Sequence, residues 1–202
     1  MSITKKLYVR ALRLSYFTVL YNIVECIISL IAGLIAGSTA LLGFGSDSLI
    51  ESLSGIIMIW RFRKHGIISE SEEDEIEKKA TFLVGITFFI FGIYLFYESI
   101  RKLFVGEQPE PSFIGIIIAI ASISVMPMLF YLKYHTGKEI GSKSLVADSK
   151  QTLACLIMSV SLLIGLGLNY WLGYWQADPI VGLFIVAFLF KEGYEIIFED
   201  DD

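Results

Sequence analysis

Six apolar stretches, each about the length needed to cross a bilayer, leave this chain little freedom in what it can fold into. They cover residues 12–36, 39–60, 80–100, 112–132, 144–172 and 179–197, the last interrupted in its second half by Lys191, Glu192 and Glu195. A spanning helix needs about 20 such residues. The hydrocarbon offers no water to satisfy backbone N–H and C=O groups, so each stretch is expected to be an α-helix. The predicted fold class is all-α: a polytopic membrane protein with six transmembrane helices forming one domain over residues 1–202. A composition of 55% hydrophobic residues fits that class and not a soluble domain.

The first stretch is too long for a signal-peptide core and carries Asn22 and Glu25, so no cleaved leader is expected. Cys26 and Cys155 both fall inside spans, which argues against a disulfide. The net charge of −5 argues against nucleic acid as a partner. Basic residues set an orientation. With both termini cytoplasmic, the inner side takes Lys5, Lys6, Arg10, Arg13, Arg61, Arg63, Lys64, Lys78, Lys79, Lys133, Lys138 and Lys143, and the outer side only Arg101 and Lys102. The expected location is an integral, multi-pass one, in the cell membrane if the source is prokaryotic.

The connections on the outer side are short, including Gly37-Ser38 and the turn 106–111, whereas those inside are longer and polar. The second-to-third connection packs Glu70, Glu72, Glu73, Asp74, Glu75 and Glu77 together after His65. Such a run reads first as a solvated helix start, with a secondary metal site including His65 as the sharper alternative. Pro127 is expected to kink the fourth helix, since it removes a backbone hydrogen bond. A short echo links GSTALL (37–42) with GSKSLV (141–146), each opening a helix that soon carries an acidic residue. The chain stops soon after the sixth span, so no soluble C-terminal domain is expected.

Within this apolar framework, Asp47 and Glu51 stand out in the middle of the second span. A carboxylate at that depth costs roughly 3 kcal/mol on insertion scales unless it faces a cavity, a partner or a cation. Their i, i+4 spacing places both on one helix face. Two further polar stripes share a face within their spans: Asn22, Glu25 and Ser29 in the first, and Asp148, Gln151 and Cys155 in the fifth. At 1.5 Å per residue, Asp47 and Glu51 lie about 12 and 18 Å below the outer boundary. By the same reckoning Glu51 is level with Gln151 and Asp47 with Cys155, while Asp148 lies about a turn nearer the cytoplasm. Two carboxylates, an amide oxygen and a thiol around one point form a divalent-cation site, and the thiol favours Zn²⁺ over Mg²⁺ or Ca²⁺. The plainer alternative is that these groups only hydrogen-bond between helices and Cys155 only packs. Glu25 reads as a structural or proton-handling partner, not a ligand.

These residues resemble the cation diffusion facilitator (cation efflux) family. Ser38-Thr39-Ala40-Leu41-Leu42 through Asp47-Ser48-Leu49 to Glu51 is similar to its second-span motif SxALLxxxxxSLxD/E. The fifth-span motif ADxxHxxxD is met by Ala147-Asp148 through Gln151 to Cys155, and residues 177–197 are similar to the sixth span. Where the family pattern has His and a final Asp, this chain has Gln151 and Cys155, so it resembles a short, divergent branch lacking the C-terminal cytoplasmic domain. The resemblance implies export of a divalent metal, Zn²⁺ foremost, from the cytoplasm by alternating access, with proton coupling. It also implies a homodimer in the lipid bilayer. The metal site would comprise Asp47, Glu51, Gln151, Cys155 and Asp148, with Zn²⁺ as transported substrate and no cofactor. A membrane protein that binds metal or modulates a partner without transporting is the alternative. An enzyme is not expected, because no HExxH, GxSxG or paired-Asp protease pattern occurs.

Overall fold

The computed structural model describes residues 3–64 and 70–198. It contains six α-helices: α1 (Ile3–Ala36), α2 (Thr39–Lys64), α3 (Glu70–Val105), α4 (Phe113–Ile140), α5 (Lys143–Leu172) and α6 (Ala177–Phe198). The described residues include no strand. Every expected span is a helix, and most helices outrun the apolar stretch that announced them. α1 begins nine residues before position 12, and α4 continues eight residues past 132. Apolarity reports the hydrocarbon thickness, whereas a helix keeps its own backbone bonds after leaving it. Residues 6–36, 39–64, 113–140 and 144–172 are long and apolar enough to cross a membrane by length and composition.

The helices pack as hairpins α1–α2 and α4–α5, with α3 against α6, and α2 touches α1, α3, α5 and α6. The two hairpin turns explain the sequence echo. Gly37 and Gly141 sit at φ 60° and 69°, left-handed values that a Cβ would strain. Ser38 Oγ accepts from Leu41 N at 3.1 Å, and Ser142 Oγ accepts from Leu145 N at 3.2 Å. Each Gly-Ser pair thus ends one helix and caps the next.

α1 has the polarity of a membrane helix turned against its bundle. Leu20, Val24, Ile27, Ile31 and Leu34 recur at three- and four-residue steps and are exposed. Ser15, Thr18, Asn22, Glu25 and Ser29 recur at the same steps and are buried. The apolar face meets lipid and the polar face meets α2 and α4. The core between the helices holds Leu41, Phe44, Ile50, Met126, Met158, Leu162 and Ile185.

At the Gly37 end, α6 is tied to the start of α2. Asp178 accepts from the Ser38 hydroxyl, from Thr39 N at 2.8 Å and from Thr39 Oγ1 at 3.0 Å. Lys102 of α3 donates to the Gly37 carbonyl. Glu110 N bonds the Ala36 carbonyl at 2.7 Å, and Asn169 Nδ2 bonds the Pro109 carbonyl at 3.1 Å.

Candidate functional site

α2 is the central helix, and its buried face brings Asp47 and Glu51 towards α5. One ligand atom each from Asp47, Glu51 and Cys155 lies within 4.8 Å of the other two. The residues are 3%, 0% and 0% exposed. Oxygen and sulfur donors around a tetrahedral Zn²⁺ stand about 3.3 to 3.8 Å apart, so a modest contraction would close this trio on an ion. Glu51 Oε2 is buried and makes no hydrogen bond, which leaves one carboxylate oxygen available. The three side chains thus lie together, as the helix faces and depths led one to expect of Asp47, Glu51 and Cys155.

The other expected ligands sit differently. Asp148 is buried, and its Oδ2 pairs with Lys133 Nζ at 2.9 Å, with Ser54 Oγ at 3.5 Å from its Oδ1. Gln151 is half-buried one turn before Cys155, and its Nε2 is buried without a hydrogen bond. Lys150, the residue before Gln151, is exposed. Glu25 accepts from the Ser48 hydroxyl at 2.9 Å, beside the trio on the neighbouring helix. The candidate site of His65 and the acidic run 70–77 lies outside the residues whose side chains are described.

Two members of the site escaped the sequence. Lys133, counted above among the inner basic residues, is fully buried, and its Nζ lies 3.6 Å from Glu51 Oε1. Removing it from that count leaves the charge asymmetry intact. Thr152 accepts from Lys133 at 2.8 Å and donates to Glu51 Oε1 at 2.6 Å. Glu51 was expected level with Gln151, and it meets the next residue instead. One step along a helix is a rise of about 1.5 Å and a turn of about 100°, within the error of counting from a helix end.

Helices with lipid-facing apolar stripes around a buried carboxylate–thiol cluster define a multi-pass integral membrane protein with a polar site inside its bundle. The chain belongs to the cation efflux family, whose transmembrane domain it matches over residues 15–200. It is similar to transmembrane protein 163 of Xenopus laevis, 22% identical over 191 residues, covering 94% of this chain and 67% of that protein. It is also similar to the magnetosome protein MamB of Magnetospira sp. (strain QH-2), 24% identical over 174 residues, covering 82% of this chain and 58% of the relative. An uncharacterized transporter of Methanocaldococcus jannaschii is 25% identical over 189 residues, covering 90% and 65%. The chain spans about half to two thirds of the length of the curated relatives it matches.

Proposed function

We propose that this protein exports a divalent metal cation, Zn²⁺ foremost, from the cytoplasm by alternating access. The observation that carries the reading is the buried trio Asp47, Glu51 and Cys155 inside a cation efflux domain. Hard and soft donors together suit a borderline ion, and a divalent cation would offset the desolvation of a buried carboxylate pair. Gln151 and Asp148 lie on the same face of α5 and are candidates to complete or feed the site. Arg10, Arg13, Arg61 and Arg63 at one end of the bundle support placing both termini in the cytoplasm. The family resemblance supports a homodimer.

The deciding experiment is Zn²⁺ flux into proteoliposomes carrying the purified chain, beside elemental analysis of metal bound in detergent. A protein that binds metal without moving it would pass the second measurement and fail the first. Absence of both would end the reading.

Two further outcomes follow from the donor set. Cys155→Asp exchanges a soft donor for a hard one, so the ratio of Cd²⁺ to Mn²⁺ flux falls by about tenfold or more. An unchanged ratio would reduce Cys155 to a packing residue. A metal-bound thiol is deprotonated, so loading releases a proton and an imposed inward proton gradient accelerates export. Gln151→His adds a group titrating near pH 6.5 and steepens that dependence. Flux indifferent to the gradient in the wild type would replace exchange with a facilitated pathway.

A further inference from the structure

Lys133 puts a cation where the cargo is proposed to bind. Its side chain is fully buried, and three groups receive its ammonium: Asp148 Oδ2 at 2.9 Å, Thr152 Oγ1 at 2.8 Å and Glu51 Oε1 at 3.6 Å. Thr152 passes the contact on, because its own hydroxyl donates to the same Glu51 oxygen. One edge of the Glu51 carboxylate is therefore taken, and the other, Oε2, carries no hydrogen bond. Glu51 thus stands between a resident ammonium and the other two groups of the trio, Asp47 and Cys155. Positive charges sharing one carboxylate repel each other, more strongly in a poorly polarisable surrounding than in water.

We propose that Lys133 is a tethered counter-cation for Glu51. In the empty carrier the ammonium pairs with Asp148 and also reaches Glu51; when the divalent ion loads, it gives up Glu51 and keeps Asp148. Glu51 then faces one cation or the other throughout the cycle and never lies bare in the membrane interior. Asp148 serves as the harbour for the ammonium and is not a ligand of the ion. The resident charge weakens metal binding and speeds release, so Lys133 is a positioning and tuning residue. This inference rests on the transport-site reading above.

The test measures Zn²⁺ affinity of the purified protein and Zn²⁺ flux in proteoliposomes for a cycle of variants. Lys133→Met should bind Zn²⁺ about tenfold more tightly, the size of coupling usual between groups in contact. Its KM and kcat for flux should fall together, because the ion leaves slowly. Asp148→Asn should bind more weakly, since the ammonium loses its nearer carboxylate and shifts onto Glu51. The double variant should regain at least wild-type affinity. A merely structural lysine predicts weaker binding in Lys133→Met, and that result overturns the proposal. A double variant as weak as Asp148→Asn would make Asp148 a direct ligand and also overturn it. If Lys133→Met yields no folded protein, Lys133→Gln keeps donors to Asp148 and Thr152 without the charge and should show the same tightening. A wild-type protein that binds no Zn²⁺ overturns the site reading itself, a result distinct from wild-type binding that Lys133→Met and Lys133→Gln leave unchanged.

Discussion

Asp47→Ala and Glu51→Ala each lower Zn²⁺ flux by about a hundredfold or more, in protein that still folds. Each removes one of three donors that lie within 4.8 Å of one another. Outer-sphere partners of a metal already change affinity by about 10- to 100-fold, and a direct ligand contributes at least as much. The fold survives because neither carboxylate carries the bundle. Asp47 has its role inside the trio, and without Glu51 the buried Lys133 keeps Asp148 at 2.9 Å and Thr152 at 2.8 Å. Removing a desolvated carboxylate from a membrane helix also lifts an insertion cost of roughly 3 kcal/mol. The measurement is initial flux at several Zn²⁺ concentrations, with gel filtration of each variant as the check on folding. Near wild-type flux in both variants would remove the carboxylate pair from the transport path.

Asp178→Ala destabilises the protein by about 3 kcal/mol, seen as a lower unfolding midpoint in detergent, while Asp178→Asn loses roughly half of that. The carboxylate is fully buried and accepts from the Ser38 hydroxyl, Thr39 N and Thr39 Oγ1. Its removal leaves three donors at the start of α2 without a partner, and a buried donor left unmade costs about 1–3 kcal/mol. An amide oxygen at the same place can still accept from part of that set, which is why Asn is milder. A midpoint unchanged in Asp178→Ala would show that water or a rearranged turn satisfies α2 equally well.

Much of the fold was legible because the bilayer imposes one length and one backbone solution on every span. Apolar stretches located all six helices, and i, i+4 spacing with depth brought Asp47 and Glu51 to Cys155. What escaped has a physical reason in each case. Lys133 follows directly on an apolar run, where a long basic side chain ordinarily reaches for the headgroups. Only the continuation of α4 to Ile140 shows that it lies inside the packed bundle. Thr152 is one hydroxyl among many in the spans, and its part depends on a rotation of one residue in α5. Asp178, next to Pro179, reads as a turn residue for its own helix, yet it caps a different one 139 residues away in sequence. Contacts between distant segments leave no spacing to read.

The ties at Gly37 give the bundle a mechanical axis. There Asp178 clasps α6 to α2, Lys102 latches α3 to the end of α1, and Glu110 pins the following loop to the same spot. Levers held at one end move most at the other: about 10° of tilt displaces the far side of a 30 Å slab by roughly 5 Å. Under the proposed alternating access, such a tilt would open the Asp148 side while the pinned end scarcely shifts. A crosslink across Ser38 and Asp178 would therefore be tolerated, and one across the Lys64 ends of α2 and α5 would stall the molecule.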